Sequence, residues 1–551
     1  MSLLARLFFV VVLLVGAARA AETPPRLAVV IVVDQMRADY LVKFRPYFGE
    51  GGFKRLLEGG ADYQDCHYRY AITKTAAGHA TILSGMHPDV HGIIANDWAD
   101  RTTYVTGNAV EDSNSPLVGL PPRAGRYANA TFAAKAGRSP RNFLGTTVGD
   151  RLKARYGAAA RVFGVADKDR SAILPAGPKA DGVYWTEEGI FVTSTYYRAE
   201  LPDWVKDFND RQGAAQHFGQ TWDRLRDKEL YDRVQGPDAA PGEETTAGLP
   251  ATLPKKVGTG SAPTNAFYGA FDRTPWNNEM VAAMALRAQE VGQLGLDEVP
   301  DLLTIGFSQP DATGHAYGPD SHEVMDTYLR LDRTLAELFA ALDTRVGLGK
   351  WVVVLTADHG VPPLPERVQA EKGENAAGRI SGGQLDRHVI SALEQAFGTL
   401  EAPLFWVLRD NSGYHINPKA LAAKNLPFER VAEVVATALR THPQLAAVYT
   451  RRQLLSREPL DAWGEMMRRS FHPARSPDVF FIEKPFFQIR AQGTTHGTPH
   501  DYDTHVPQLW YGAGVKPGVH GERVGVDDLA PTLAGLLGVE LPPEAKGRRL
   551  F

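Results

Sequence analysis

Six side chains of the kinds that bind metal ions fall at or near the ends of stretches that resemble β-strands. A lone aspartate or histidine in a loop is usually a turn residue or a solvated group, but six in such positions indicate a metal site. Carboxylates and imidazoles together suit zinc, a cation of borderline character that accepts oxygen and nitrogen ligands. The six residues are Asp34, Asp311, His315, Asp358, His359 and His496.

The spacing of these residues suggests two groups of ligands. Asp311 and His315 are about one helical turn apart, and Asp358 and His359 are adjacent on a predicted sharp turn. Two sets of three ligands would hold two metal ions about 4 Å apart, the arrangement that clamps the attacking and leaving oxygens of a phosphoryl transfer. The pattern therefore predicts a two-metal centre.

The stretch 73–85 predicts a loop that runs into a short helix, with the hydroxyl of Thr75 at the start of the helix. A helix N-terminus presents unpaired N–H groups and the positive end of a dipole, so it can bind phosphate. A threonine in this position can also serve only as a helix N-cap. Because the nucleophile must lie beside one of the two metals, Thr75 is the candidate.

Apolar runs predict the strands that would position these residues. The runs 27–33, 302–307 and 351–355 are followed by Asp34, Asp311 and Asp358, and continuous apolar strands are typical of parallel sheets covered on both faces. The helical spacing of apolar residues over 321–343 places a helix between the last two strands. The predicted fold class is α/β, with a central, mostly parallel sheet sandwiched by helices.

The sequence divides into four predicted segments. Residues 1–20 form a signal peptide, 21–360 the first part of the main domain with a surface loop at 235–265, 361–485 an inserted smaller α/β cap, and 486–551 the return to the main domain. In the cap, helices are predicted at 385–397 and 427–439, and strands at 404–408, 414–416 and 446–449. A strand at 507–512 and a helix at 528–537 would close the main domain.

Composition limits the location and the partners. A basic start, a short apolar run and an A-x-A site before residue 21 indicate a secretory signal, so we expect a periplasmic or secreted protein with no stable membrane insertion after cleavage. The single cysteine excludes an intramolecular disulfide, and a formal net charge of −4 argues against a nucleic-acid partner. We expect a monomer.

Six stretches, in order over nearly the whole mature chain, resemble the alkaline phosphatase superfamily. The closest resemblance is to its exported bacterial branch with a threonine nucleophile, the PafA-like or Sphingomonas-type monoesterases. The stretches are 33–41, 73–85, 91–98, 311–315, 356–360 and 493–497.

This resemblance implies two zinc ions and a covalent phosphothreonine at Thr75. It implies that Asp34, Asp358 and His359 hold one ion beside the Thr75 oxygen, and that Asp311, His315 and His496 hold the other. Asn96 would donate a hydrogen bond to a non-bridging phosphoryl oxygen. His500 and His505 lie close to the last motif and the pattern alone leaves them open, but the Thr-His-Gly context favours His496.

Lys168 and Arg170 bear on the choice between monoester and diester substrates. A phosphate monoester carries two negative charges, and two extra cations would bind its terminal oxygens. Diesterases of the nucleotide pyrophosphatase branch resemble this chain around the metals but lack such a pair. A solvated charged turn is the alternative, yet the run 171–177 also resembles the monoesterases. Small phosphate monoesters are therefore the expected substrates.

Two other functions remain open. One is a phosphodiesterase or phosphonate hydrolase on the same scaffold, and the other is a non-catalytic phosphate-binding or metal-binding protein. A sulfatase is excluded, because the residues after Cys66 do not form the C/S-x-P-x-R motif. Near Thr75, we expect Lys74 to be solvated and His79 to pack or to satisfy a backbone group rather than bind metal.

Overall fold

The computed structural model describes residues 24–120, 136–245 and 247–551. The predicted signal peptide, residues 1–20, lies outside the described residues. Among the helices in the described ranges, none combines the length and the apolar character needed to cross a bilayer.

A large twisted sheet forms the centre of the fold, and eleven strands of the described chain belong to it. Ten of them pair in the order Gly518–His520, Ala61–His67, His505–Gly512, Trp351–Thr356, Leu27–Val33, Asp301–Phe307, Val162–Ala166, Gly182–Glu187, Ile190–Ser194 and Leu117–Val118. The eleventh, Val524–Gly525, pairs with Ala61–His67. The middle of the sheet is parallel, from Trp351–Thr356 to Gly182–Glu187. The predicted α/β class with a mostly parallel sheet is confirmed.

The three strands predicted to carry aspartates are neighbours at the middle of this sheet. Leu27–Val33 runs parallel to Asp301–Phe307 on one side and to Trp351–Thr356 on the other. Every residue of the three strands is buried, which is why their sequences are mostly apolar instead of alternating. Their carboxyl ends therefore lie side by side.

Helices cover the sheet, and the one that begins at Thr75 is buried along its whole length. The long helix predicted at 321–343 spans His322–Leu342 and has its N-cap at Ser321, whose hydroxyl accepts from the backbone N–H of Val324. The α-helices that accompany the large sheet are Tyr40–Lys43, Phe53–Gly59, Thr75–Ser84, Pro88–His91, Val148–Tyr156, Asp169–Ala176, Asp203–Gln212, Lys228–Gln235, Asn265–Phe271, Pro275–Gly292, Gln309–Tyr317, His322–Leu342, Pro365–Lys372, Asp501–Thr504 and Leu529–Leu536.

A second, antiparallel sheet of four strands lies within the range predicted for the cap. Its order is Val407–Asp410, Gly413–Ile416, Val479–Glu483 and Leu445–Thr450. The helices Gly382–Phe397 and Phe428–Arg440 share a hydrophobic cluster with it that is distinct from the main core. Further helices are Pro418–Lys424, Arg451–Leu455 and Ala462–Ser470. The domain boundaries at 361 and 485 stay a prediction.

The segment 235–265 is anchored more firmly than a surface loop. Lys255–Lys256 pairs with Thr221–Trp222, and the Lys255 side chain is fully buried, with its Nζ 2.9 Å from Oε1 of Glu323. A buried ion pair and a two-residue strand pairing fix the position of this segment. Neither contact requires apolar residues at regular spacing, so the sequence shows little hydrophobic periodicity.

Gly78 marks the closest approach between the Thr75–Ser84 helix and the end of the Trp351–Thr356 strand. A Cβ at Gly78 would lie 2.7 Å from the Cβ of Asp358 and still nearer to the Asp358 carbonyl oxygen. We expect Gly78→Ala to lower the free energy of unfolding by about 1–3 kcal/mol, because the helix must shift away from the strand. Urea unfolding measures the change. Gly107→Ala is the control, since nothing lies within 4 Å of its Cβ position, and equal effects of the two substitutions would contradict the packing argument.

Candidate active site

The carboxyl edge of the parallel strands carries the charged residues of the site. Asp34 follows Leu27–Val33, Asp358 follows Trp351–Thr356, and Asp311 lies in the Gln309–Tyr317 helix just after Asp301–Phe307. Lys168 follows the next parallel strand, Val162–Ala166. Open α/β sheets bind ligands at this edge, so the order of the strands explains why residues far apart in sequence meet.

The first predicted ligand set comes together around His359. Its Nε2 lies 3.3 Å from Oδ1 of Asp34 and 3.4 Å from Oδ2 of Asp358. The same nitrogen is 3.4 Å from Oγ1 of Thr75. All four residues are buried. The structure therefore places the Thr75 hydroxyl directly beside this set.

The second predicted set comes together around Asp311. Its Oδ1 lies 3.1 Å from Nε2 of His315 and 3.8 Å from Nε2 of His496, and the three ligand atoms are mutually close enough to hold one ion. The two sets are in contact, since the rings of His359 and His496 stack with centroids 3.4 Å apart.

Backbone carbonyls orient all three histidines in the same way. Nδ1 of His315 is 2.6 Å from the carbonyl of Thr494, Nδ1 of His496 is 2.7 Å from that of Thr73, and Nδ1 of His359 is 3.0 Å from that of Gly360. A carbonyl can only accept, so each Nδ1 carries a hydrogen and each Nε2 is the nitrogen turned towards the carboxylates. This arrangement is typical of metal-binding histidines.

Unpartnered oxygens fit the binding of cations. Oδ1 of Asp34 and Oδ2 of Asp358 are buried and have no hydrogen-bond partner among the described residues. Buried carboxylate oxygens without partners are costly, and both lie near Nε2 of His359. A divalent cation would satisfy these oxygens, and the groups around Asp34 whose ligand atoms lie within 4.8 Å of one another are Asp34 with Asp358 and His79, and Asp34 with Asp311 and His359.

The pKa values of the three buried carboxylates depend on one another and on the neighbouring cations. Burial and the neighbouring Asp311 raise the pKa of Asp34, but Lys168 and His359 outweigh them and hold it at about 2. Burial and the charge of Asp34 raise the pKa of Asp358 well above its usual range. Burial opposes the low pKa of Asp311, which His315 and Lys168 set well below the ordinary value.

The ammonium of Lys168 lies between the two ligand sets. Its Nζ is 2.6 Å from Oδ2 of Asp34 and 2.6 Å from Oδ2 of Asp311. Lys168 is the N-cap residue of the Asp169–Ala176 helix. Because its ammonium pairs with these two buried carboxylates, Lys168 is not a solvated turn residue. Arg170 is largely buried, its Nε has no hydrogen-bond partner among the described residues, and its Nη1 is 3.7 Å from Oδ1 of Asp169.

Thr75 is the first residue of its helix, and Lys74, in an extended conformation, is the N-cap. The alternative that Thr75 is only an N-cap is therefore wrong. The backbone N–H of Ala76 donates to Oδ1 of Asn96 at 2.8 Å. This bond assigns the Asn96 amide so that its Nδ2 remains a donor beside the start of the helix.

The structure also settles the position of the two histidines that the sequence left open. Nε2 of His500 bonds to the carbonyl of Glu483 at 2.9 Å, and Nε2 of His505 bonds to that of Gln64 at 2.8 Å. His496 alone of the three belongs to the group with Asp311 and His315 among the described residues.

Sequence reasoning missed Gln35. Its backbone N–H donates to Oδ1 of Asp358 at 3.1 Å and its Nε2 donates to Oδ1 of Asp311 at 2.6 Å. It adopts a left-handed conformation with φ of 66°, which is unusual for a residue other than glycine. This sharp turn after Asp34 lets one residue contact carboxylates from both sets, and its only sequence signal is its place at a strand end.

The prediction that Lys74 is solvated is wrong, whereas His79 is buried, in line with the predicted packing role. Lys74 is half-buried rather than solvated, and its Nζ donates to the carbonyl of His496 at 2.7 Å. His79 satisfies no backbone group, since neither ring nitrogen has a hydrogen-bond partner in the described ranges. Its Nε2 lies 3.7 Å from Oδ2 of Asp358, and burial lowers its pKa to about 3. His79 thus presents a neutral imidazole to the first set.

Comparison with known proteins extends over almost the whole chain. The alkaline phosphatase PafA of Elizabethkingia meningoseptica is 34% identical, and the match covers 97% of this chain and 95% of that protein. The alkaline phosphatase PhoK of a Sphingomonas species is 32% identical, with 95% of this chain and 90% of that protein covered. A crystal structure of wild-type PafA superposes with a TM-score of 0.86 at 33% identity, covering 96% of this chain and 98% of that one.

A family profile matches as well. Residues 28–506 fit the family described as type I phosphodiesterase / nucleotide pyrophosphatase. The chain belongs to the alkaline phosphatase superfamily. This confirms the predicted family, and the relatives confirm the predicted class of enzyme, alkaline phosphatase. Within the superfamily, the two relatives above are named as alkaline phosphatases, whereas the profile is named for diesterases, so these names leave the substrate class open.

Lys74 ties the nucleophile loop to the loop of His496, which makes its role testable. We expect Lys74→Met to weaken metal binding by about tenfold, because outer residues that orient ligands typically contribute that much. Titrating activity of the metal-stripped enzyme with Zn²⁺ gives the half-saturating concentration. Lys546→Met is the matched control, since the Nζ of Lys546 also donates to a carbonyl, that of Pro543, but on the exposed surface. An unchanged midpoint for Lys74→Met would contradict this role.

Proposed function

We propose that this protein hydrolyses small phosphate monoesters, with Thr75 as a nucleophile that forms a covalent phosphothreonine and with two zinc ions as cofactors. The observation that carries the proposal is the contact of the Thr75 hydroxyl with one set of metal-type ligands, while Lys168 bridges that set to the other. The covalent intermediate and the identity and number of the ions are part of the proposal.

The two ligand sets would each hold one ion. Asp34, Asp358 and His359 form the set beside Thr75, and Asp311, His315 and His496 form the other. Bound zinc supplies Lewis-acid charge and lowers the pKa of an oxygen bound to it. The chain contributes imidazoles fixed by backbone carbonyls and carboxylates buried away from water, an arrangement that favours ion binding.

The residues of the chain divide the chemistry between them. Oγ1 of Thr75 attacks phosphorus, so that a new O–P bond forms as the ester O–P bond breaks and the leaving alcohol takes up a proton. Water then attacks the phosphothreonine, and inorganic phosphate leaves as Thr75 recovers its hydroxyl hydrogen. Because Thr75 is the first residue of a helix, the N–H groups of the first turn other than that of Ala76, which bonds to Asn96, would be available to the phosphoryl oxygens.

Three side chains would bind the phosphoryl group. Lys168 reaches both ligand sets, Asn96 is held by the Ala76 N–H with its Nδ2 free to donate, and Arg170 has a buried Nε without a partner in the described part of the chain. A dianionic phosphoryl group would engage all three donors, and charge-assisted hydrogen bonds are the strong ones. This cation pair favours a monoester over a singly charged diester.

A phosphodiesterase is the second candidate, and the description of the matching family favours it. Both reactions can share the same metal ligands and nucleophile. A phosphonate hydrolase would likewise use this scaffold, and a non-catalytic binding protein would bind metal without turnover. Comparing p-nitrophenyl phosphate, its bis ester and p-nitrophenyl phenylphosphonate separates these functions.

The proposed location is the periplasm or the exterior of the cell, and the proposed form is a monomer without a nucleic-acid partner. The location rests on residues 1–20, which lie outside the described structure.

Removing the Thr75 hydroxyl tests the nucleophile. We expect Thr75→Ala to reduce kcat for p-nitrophenyl phosphate by about 10³-fold or more, because the covalent route is lost. Bound zinc, measured by elemental analysis, controls for collapse of the site. Thr75→Ser is the conservative control, since it keeps a hydroxyl and should retain far more activity. Turnover by Thr75→Ala equal to that of the unaltered enzyme would refute the assignment.

Removing both cations tests the substrate class. We expect the Lys168→Ala, Arg170→Ala double variant to lose about 10²–10⁴-fold in kcat/KM for p-nitrophenyl phosphate, since two charge-assisted contacts disappear. The loss for bis-p-nitrophenyl phosphate should be much smaller, because a diester presents one negative charge. The diester rate measures any general damage to the site. A monoester preference that survives in the double variant would show that another group sets it.

A further inference from the structure

Three metal-type side chains meet on one face of the large sheet, in a group that shares no residue with the two ligand sets above. His67, at the end of Ala61–His67, lies directly opposite His505, the first residue of the antiparallel strand His505–Gly512. Asp65 is two residues before His67, so both project from the same face of the strand. Directly opposed residues have Cβ atoms about 4.5–5.5 Å apart, which brings the three side chains together.

The distances between these side chains suit a shared ion. Ligand atoms of Asp65, His67 and His505 all lie within 4.8 Å of one another. Nε2 of His67 is 3.0 Å from Oδ1 of Asp65, and the two imidazole rings stack with centroids 4.5 Å apart and planes 6° apart. His67 is buried while Asp65 and His505 are half-buried, so water can reach the fourth position of a tetrahedral ion.

Hydrogen bonds to groups outside the cluster allow the rings of His67 and His505 each to offer a lone pair to a cation. Nε2 of His505 lies 2.8 Å from the carbonyl of Gln64, which can only accept, so the hydrogen is on Nε2 and the lone pair on Nδ1. Nε2 of His67 donates to Oδ1 of Asp65. Its Nδ1 is 3.1 Å from the Thr504 hydroxyl, which can accept the hydrogen instead when Nε2 binds a cation.

A positive side chain already occupies the approach to Asp65. Nε and Nη2 of Arg523 lie 3.0 Å from the two carboxylate oxygens of Asp65. The negative charge of a second carboxylate, Asp501, acts to raise the pKa of both His67 and Arg523. The Arg523 side chain is 63% exposed, and exposed ion pairs are weak. A divalent cation with two imidazole ligands can therefore displace the guanidinium.

We propose that Asp65, His67 and His505 form an additional metal site that binds Zn²⁺ or a similar first-row divalent cation. The ion would join two neighbouring strands at the end of the large sheet, and it takes no part in hydrolysis. The site does not depend on the catalytic proposal, because it is defined by residues outside both ligand sets.

Counting bound zinc tests the site directly. The full-length protein, His505→Ala and Asp65→Asn are dialysed against the same buffered Zn²⁺, and bound ions are counted by elemental analysis. We expect the unaltered protein to bind one ion per chain more than either variant, while turnover of p-nitrophenyl phosphate stays within about twofold. The matched control is His520→Ala, a histidine on the adjacent strand that stacks on Tyr63 outside the group, and it should keep the extra ion.

Arg523 provides a test in the opposite direction. Removing a competing surface cation with Arg523→Gln should tighten zinc binding at this site by about two- to fivefold, the factor expected for a surface ion pair. If Asp65 serves only as the ion-pair partner of Arg523 and binds no metal, Arg523→Gln will not tighten zinc binding, and this result would contradict the proposal.

Two further results would overturn the proposal. One is the same zinc count for the unaltered protein and for Asp65→Asn, which preserves size and shape if His505→Ala fails to fold. The other is an equal loss in His520→Ala, which would mean non-specific binding to surface histidines. A fall in zinc count with normal turnover supports this site, whereas a fall in turnover at Thr75→Ala concerns the catalytic proposal alone.

Discussion

Three aspartates, Asp34, Asp311 and Asp358, are buried side by side where three parallel strands end. Charges held out of water are stable only when opposite charge and hydrogen bonds compensate them. Lys168 and Gln35 supply part of that compensation, and the unpartnered carboxylate oxygens call for cations. The need to compensate these three buried charges explains why the other polar residues of the site lie around the aspartates.

The large elements could be predicted from sequence because each one has a strong local pattern. Continuous apolar runs located the three central strands, and helical spacing located His322–Leu342 within one residue at each end. The ligand residues could be found because they follow those strands. Resemblance to known phosphatases, rather than periodicity, assigned them to sets and singled out Thr75, Asn96, Lys168 and Arg170.

Contacts between distant loops could not be predicted. The place of Lys74 depends on the carbonyl of His496, more than 400 residues away, and a lysine beside a loop has no pattern that distinguishes it from a solvated one. Gln35 depends on a left-handed backbone conformation, and Lys255 on a buried glutamate of a distant helix. In each case the tertiary fold, and not the local sequence, determines what the side chain contacts.

The loops that flank Thr75 and His496 hold one another. Thr73 accepts from Nδ1 of His496 and donates through its hydroxyl to the carbonyl of Thr498, while Asp503 accepts from the backbone of Gly497 and Thr498. The rings of His359 and His496 are stacked as well, with planes 12° apart. A rotation of either imidazole would therefore displace the other, so the orientation of a ligand in one set depends on a ligand in the other. In the proposed two-ion centre, a substitution that disturbs one ion position should therefore disturb its neighbour too.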